Sequence, residues 1–128
     1  MKHWRFMDYY SEAGNNLIKK WYNELNEDAQ ADFDATLNNL AGTATWRGLK
    51  EFKMLSGGHA GLGEIRFKTN NVQYRSVGFF GPGDREFTLL VGCQKKQNIY
   101  NPPSALDLAL KRKNLYSQAR GSIHEHSF

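Results

Sequence analysis

The sequence predicts an α+β domain with an N-terminal strand, a helical hairpin, a small antiparallel sheet and a C-terminal helix. Two patterns lead to this prediction: apolar residues recur at helical spacing over residues 16–41 and alternate at strand spacing over residues 62–93. The helices are expected to cover one face of the sheet and leave the other face free for function. The 128 residues suit one domain, which we place at residues 1–117, and residues 118–128 are predicted to be a flexible tail.

The N-terminal half is predicted to hold one strand and two helices. Residues 3–9 mix aromatic and polar side chains, which is typical of a short strand. An apolar stripe that includes Trp21 follows Asn16, and a second stripe covers residues 29–41. Because only residues 26–28 separate the two helices, we expect them to pack as an antiparallel hairpin.

The C-terminal half is predicted to hold a loop, three strands and a helix. Residues 43–63 are expected to be mostly loop, since glycines interrupt them repeatedly. The strands are expected at residues 62–68, 72–80 and 87–93. Asn70-Asn71 suits a two-residue turn, because Asn tolerates positive φ. A start similar to a capping box at Ser104 is expected to begin a helix that ends near Tyr116.

The composition excludes several classes of protein. Lys and Arg number 17 against 13 Asp and Glu, so the net charge is +4 and a polyanion is a plausible partner. The single cysteine, Cys93, excludes an internal disulfide and a Cys-rich metal site, and we interpret it as a core residue. No apolar run reaches the length of a membrane span, and the N-terminus lacks a secretory signal. We therefore expect a cytoplasmic protein without a membrane partner.

Two segments superficially similar to binding motifs are not interpreted as sites. The glycine-rich segment 57–63 leads into a strand, whereas phosphate-binding loops of that type open a helix. His124-Glu125-His126 offers a pair of metal ligands without a third. No metal and no cofactor are expected.

An arginine pair is the main candidate for chemistry. If Asn70-Asn71 forms the turn, Arg66 lies opposite Arg75 on the same face of the sheet. Like charges in that position destabilise a sheet unless an anion lies between them, and guanidinium groups match phosphate oxygens in geometry. Glu64 shares this face, so the alternative is a solvated surface with a simple Glu–Arg contact.

Further basic and aromatic residues are candidates for binding the same polyanion. Lys95 and Lys96 end the third strand, and Tyr100 follows them as a possible stacking surface. The remaining basic candidates are Lys50, Lys53 and Lys68. His59 is the candidate for acid–base catalysis, and a solvated loop histidine is the alternative.

Three segments, in this order and spacing, resemble the phage-derived branch of the RelE/HigB toxin superfamily: Gly63-Glu64-Ile65-Arg66-Phe67, Tyr74-Arg75 and Lys95-Lys96. The resemblance covers roughly residues 3–117. It implies a RelE-like fold and the toxin of a type II toxin–antitoxin pair, acting as a ribosome-dependent mRNA endonuclease. The implied partners are the ribosome, mRNA and a cognate antitoxin, often a helix-turn-helix protein. The implied chemistry is metal-free attack of the RNA 2′-hydroxyl on its own phosphodiester.

The resemblance also implies roles for individual residues. Arg75 matches the arginine of the Tyr-Arg strand and would stabilise charge in the transition state, and Arg66 would share that role. Tyr100 lies near a functional tyrosine of RelE-type enzymes. Lys95 and Lys96 match positions at which superfamily members contact RNA.

The sequence departs from the RelE pattern at two places, where Glu64 replaces a lysine and Gln94 replaces an arginine. Two other functions therefore stay open. One is a non-catalytic, ParE-like inhibitor of DNA gyrase. The other is a phage-derived RNA-binding or regulatory module without catalytic activity.

Overall fold

The computed structural model describes residues 2–127, and these residues form three α-helices, one 3-10 helix and seven strands. The strands are β1 (Arg5–Tyr10), β2 (Phe52–Met54), β3 (Gly63–Thr69), β4 (Val72–Phe80), β5 (Glu86–Lys96), β6 (Ile99–Asn101) and β7 (Ser122–Glu125). The helices are α1 (Leu17–Glu24), α2 (Glu27–Ala41) and α3 (Ala105–Ser117), with the 3-10 helix at Gly57–His59. The predicted α+β class is confirmed.

The strands form one mixed sheet in the order β2-β3-β4-β5-β1-β7, and β6 pairs with the end of β5. β1 runs parallel to β5, whereas the other pairs are antiparallel. The sheet is therefore larger than predicted. Residues 43–63, expected to be mostly loop, contribute β2 and the 3-10 helix, and β5 extends beyond the expected residues 87–93 at both ends.

Side-chain caps define where the helical hairpin begins. Asn16 precedes α1 and accepts hydrogen bonds from two backbone N–H groups of its first turn, at 3.0 and 2.9 Å. Asn26 precedes α2 and accepts from the Ala29 N–H at 2.8 Å. Ser104 precedes α3, but its side chain makes no capping hydrogen bond, so the predicted capping box is wrong.

The helices cover both faces of the sheet. The α1–α2 hairpin packs on one face, where Phe33 and Leu37 join Phe67 in one core cluster. α3 packs on the other face, where Ala109 joins Val77 in a second cluster. The expectation that all helices lie on one face is therefore wrong. β4 and β5 are buried on both sides, and such strands leave no alternating pattern to show which face is covered.

The C-terminal segment adds an edge strand to the sheet. β7 pairs antiparallel with β1, and His126 N–H donates to the Phe6 carbonyl at 2.9 Å. The buried Tyr9 hydroxyl donates to the Arg120 carbonyl at 3.2 Å. The predicted flexible tail at residues 118–128 is thus wrong for Ser122–Glu125, which belong to the same sheet as the rest of the domain.

None of the helices described is long and apolar enough to cross a membrane.

Candidate nucleic-acid interface

Arg66 and Arg75 lie directly opposite each other on β3 and β4. The turn between the strands consists of Asn70 and Asn71, whose φ angles of +50° and +67° suit a tight hairpin. Each β3 residue therefore pairs with its predicted partner on β4, beginning with Thr69 opposite Val72 next to the turn. The register predicted from the sequence is confirmed, and it brings the two guanidinium groups to one face.

A buried carboxylate lies between these guanidinium groups. Glu64 is 1% exposed, and its Oε1 accepts hydrogen bonds from Arg66 Nε at 3.1 Å and Arg66 Nη2 at 2.9 Å. The same oxygen is 3.8 Å from Arg75 Nε. The other oxygen, Oε2, accepts from the Tyr100 hydroxyl at 2.5 Å. Glu64 thus joins residues of three strands.

Arg75 is the more buried of the two arginines. Its Nη1 donates to the Tyr74 carbonyl at 2.9 Å, and its Nη2 donates to Gln73 Oε1 at 3.1 Å. Its Nε is buried without a hydrogen-bond partner in the described part of the chain. Burial lowers the Arg75 pKa, and the nearby Glu64 charge opposes that shift. The guanidinium stays charged at neutral pH, because arginine loses its proton only at far higher pH.

Tyr100 lies at the edge of the same cluster, on β6. β6 pairs with the end of β5 and sets Lys95 beside Tyr100, with Lys95 Nζ 4.7 Å from the ring centroid. Burial, followed by the hydrogen bond to Glu64, raises the pKa of the Tyr100 hydroxyl. The phenol therefore stays protonated at neutral pH and acts as a donor.

An open groove of about 610 Å³ runs beside the arginine pair. Four cations line it: Lys50, Arg66, Lys68 and Arg75. Gln73 and polar residues of α2 complete the wall, together with the acidic residues Asp32 and Glu51. The charged residues of the groove are therefore four cations and two carboxylates, which gives it a net positive charge.

The topology of the sheet explains why the groove is open. β2 pairs with residues 63–65, and the Arg66 N–H donates to the Glu51 carbonyl at 2.7 Å, so beyond Arg66 no strand of the described residues neighbours β3 on that side. α2 lies along the uncovered part, where Asp32 accepts a hydrogen bond from Thr69 at 2.6 Å. Asp28 likewise accepts from Asn70 at 3.2 Å and ties the helix to the hairpin turn. The helix forms one wall and the edge of β3 the other.

Other predicted site residues lie outside this groove. Lys53 is opposite Glu64 in the β2–β3 pair, but it lines a second, aromatic cavity with Trp4. Lys96 is exposed and neighbours Lys95 on β5, so the two side chains point to opposite faces.

His59 lies in the 3-10 helix rather than among the groove residues. Its Nε2 is 2.8 Å from Oδ1 of Asp107, on α3. It does not line the groove. The structure therefore does not bring this acid–base candidate together with the arginine pair.

The sequence analysis missed the contribution of α2 to the groove. Asp32, Thr36 and Asn39 line it and follow one another at spacings of four and three residues, which places them on one face of the helix. That spacing is visible in the sequence. However, solvated helix faces show the same spacing, so the pattern alone does not indicate a site.

Cys93 is buried beneath the cluster, opposite Arg75 in the β4–β5 pair. Burial, followed by the nearby Glu64 charge, raises the pKa of its thiol to about 12. Its interpretation as a core residue is confirmed by its 3% exposure. Among residues 2–127, no three His, Cys, Asp or Glu side chains form a group able to hold a metal ion.

The sequence matches a family of known proteins. A family model described as "Phage derived protein Gp49-like (DUF891)" matches residues 20–114, a range that includes most of the helical hairpin, the arginine pair and most of α3. No curated protein and no solved structure matches the chain.

Proposed function

The chain belongs to the Gp49-like family of phage-derived proteins, and we propose that it is the toxin of a type II toxin–antitoxin pair that cleaves mRNA on the ribosome. This proposal extends the family relation to the RelE/HigB toxins, which the strand segments around Arg66, Arg75 and Lys95 resemble. A cognate antitoxin, the ribosome and mRNA are the proposed partners.

The observation that best supports the proposal is the convergence of Arg66 and Arg75 in one basic groove. Guanidinium groups from adjacent strands can bind two oxygens of one phosphate. Lys50 and Lys68, which line the same groove, are positioned to contact neighbouring phosphates. A strand of RNA satisfies all four cations at once.

The proposed reaction is an internal transfer within the RNA. The 2′-oxygen of one nucleotide attacks the adjacent phosphorus, and the bond from phosphorus to the 5′-oxygen of the next nucleotide breaks. The products end in a 2′,3′-cyclic phosphate and a 5′-hydroxyl. A base removes the 2′-hydroxyl proton, and the leaving 5′-oxygen gains a proton.

The scheme gives a role to the two arginines, to Tyr100 and to two lysines. Arg75 and Arg66 stabilise the charge that develops on the phosphoryl oxygens. Tyr100, whose hydroxyl is hydrogen-bonded to Glu64, stacks on a base or supplies its proton to the leaving oxygen and regains one from water. Lys95 and Lys96 bind RNA outside the groove. His59 has no role in this scheme, because it contacts Asp107 instead.

A second candidate function is a non-catalytic RNA-binding module. The observation that favours it is Glu64, whose carboxylate contacts both arginines and offsets part of their positive charge. Both candidates predict RNA binding in the groove, and they differ only in whether the bound RNA is cut.

Cleavage during translation tests the proposal directly. The purified protein is added to a cell-free translation reaction, and the 5′ ends of the message are mapped by primer extension. We expect cuts in phase with the codons. Arg75→Ala should slow cleavage by roughly 10²–10³-fold, since it removes one group that stabilises transition-state charge.

Two further variants control this experiment. Lys20→Ala removes one exposed cation from α1, outside the groove, and should leave cleavage unchanged. Arg75→Lys retains the charge without the forked geometry, and thermal unfolding of each variant checks that it is folded. Intact message together with RNA binding supports the second candidate, and intact message without RNA binding contradicts both.

A further inference from the structure

We propose that Glu64 is a positioning residue: it holds Arg66, Arg75 and Tyr100 in their working orientation and, in return, weakens the attraction of the groove for RNA. This inference rests on the proposed function. The resemblance to RelE assigns no role to an acidic residue here, since RelE-type enzymes have a lysine at this position.

The contacts of Glu64 support a positioning role. Its carboxylate is 1% exposed, so it does not meet substrate itself. All three of its side-chain neighbours offer N–H or O–H groups: Arg66 at 2.9 and 3.1 Å, Tyr100 at 2.5 Å and Arg75 Nε at 3.8 Å. An ionised carboxylate only accepts hydrogen bonds, so its two oxygens suit the donors of Arg66 and Tyr100, whereas Arg75 Nε at 3.8 Å is an ion-pair partner only.

The placement of the arginines explains why such an anchor is needed. Arg66 and Arg75 are direct cross-strand neighbours, a position in which like charges repel. Without a negative charge between them, the flexible Arg66 side chain would turn away from Arg75 whenever RNA is absent. Glu64 holds it in place before substrate arrives, so that less reorganisation is required during the reaction.

The same charge has a cost in binding. Glu64 offsets about one positive charge close to the groove that the phosphates must enter. A groove built only for affinity would carry a neutral residue or a cation at this position. The buried carboxylate is therefore expected to lower RNA affinity while it raises the rate of the chemical step.

Glu64→Gln separates these two effects from simple loss of structure. The glutamine amide has an acceptor oxygen in only one of the two positions that the carboxylate oxygens occupy. Its NH₂ group takes the other position and faces a donor there, so at least one partner loses its hydrogen bond. We expect RNA to bind roughly three- to tenfold more tightly at low salt, because one negative charge is removed. Single-turnover cleavage should be about 10- to 100-fold slower, because the catalytic groups are displaced.

Two matched variants distinguish charge from position. Glu51→Gln also removes one negative charge from the lining of the groove, and within residues 2–127 the Glu51 side chain makes no hydrogen bond or ion pair. It should tighten RNA binding, and Glu64→Gln should cut RNA at least tenfold more slowly than Glu51→Gln does. Glu64→Asp keeps the charge but shortens the side chain, so it should slow cleavage with little change in affinity, and it serves equally well if Glu64→Gln does not fold.

Three measurements complete the test. Affinity is measured by fluorescence anisotropy with a 2′-O-methyl oligonucleotide, which binds but is not cut, and cleavage is measured on a message of the same sequence bound to ribosomes. ¹⁵N–¹H spectra of the arginine Nε–H groups report their positions without any activity. We expect the Arg66 and Arg75 signals to move towards solvent-exposed values in both Glu64 variants and to stay in place in Glu51→Gln.

The outcomes separate this inference from the proposed function. If the wild-type protein does not cut RNA but the arginine signals shift in the Glu64 variants, the proposed function is wrong and the anchoring role holds. If the wild-type protein cuts RNA and both Glu64 variants cut it as fast as the wild type, the positioning role is overturned. Unchanged arginine signals in the Glu64 variants overturn it as well.

Discussion

At the scale of single residues, local spacing predicted the arginine pair but did not predict the contact between Tyr100 and Glu64. Arg66 and Arg75 are separated by a tight turn, so the sequence alone places them opposite each other. Tyr100 meets Glu64 from 36 positions away in the chain. No periodicity links residues that far apart, because their contact depends on how β6 folds back on β5.

The thiol of Cys93 offers a test of burial at this scale. Because its pKa is raised to about 12, only roughly 10⁻⁴ of the folded protein holds the reactive thiolate at pH 8. We expect the native protein to react with a disulfide reagent at least 100-fold more slowly than the same protein in denaturant. Reaction of native protein at the denatured rate would contradict the buried position.

The same shift has a consequence for stability at high pH. The unfolded thiol ionises near pH 9, whereas the folded thiol stays protonated until about pH 12. Between these values the unfolded state binds fewer protons, so the contribution of Cys93 to stability falls as the pH rises above about 9. Denaturant titrations at pH 8 and pH 10 check the sign, with Cys93→Ala as the control.

At the scale of elements, β5 shows what a strand pattern leaves out. Val77 pairs with Val91 while Gly78 pairs with Leu89, so Leu90 is an extra residue that forms a bulge. Before the bulge, Phe87 and Leu89 belong to the core cluster of the helical hairpin, and after it Val91 and Cys93 belong to the cluster of α3. The sequence predicted the strand and its apolar character, but an inserted residue in a continuous apolar run has no signature of its own.

Gly78 is the residue that permits this bulge. A Cβ at this position would lie 2.0 Å from the Thr88 carbonyl oxygen, which is backbone and cannot move aside. Gly78→Ala is therefore expected to lower the free energy of unfolding by about 3 kcal/mol. Gly58→Ala is the control, because nothing lies within 4 Å of its Cβ position, and it should change stability by less than about 0.5 kcal/mol. Equal stability of the two variants in urea titrations would show that β4 and β5 relax around the methyl group.

At the scale of the whole molecule, the two ends of the chain are joined. β7 pairs with β1. Asp8 of β1 is 1% exposed, and one of its carboxylate oxygens accepts a hydrogen bond from Asn16 Nδ2 at 3.0 Å. The other oxygen is 2.8 Å from His126 Nδ1. This buried cluster links β1, the start of the helical hairpin and the residue that follows β7. The C-terminal segment is therefore part of the packed domain.

His126→Ala tests this link. The change removes a hydrogen-bond partner from a buried carboxylate, which should cost about 1–3 kcal/mol of stability. His124→Ala, an exposed position on β7, should cost clearly less. Thermal unfolding of both variants makes the comparison, and equal losses would mean that the Asp8 contact does not help to hold the C-terminal segment.

The sequence by itself determined the α+β class, the helical hairpin and the register that sets Arg66 opposite Arg75. These features depend on residues within a few turns or one hairpin of each other, where spacing and backbone preference decide the geometry. Only the tertiary structure decided that α3 covers the second face, that β7 closes on β1, and that Tyr100 joins Glu64 and the arginine pair. Those contacts join segments that are distant in the sequence. Which of them form depends on how the whole chain buries its apolar surface. No local pattern distinguishes one face or edge of the sheet from another, so the sequence alone did not predict them.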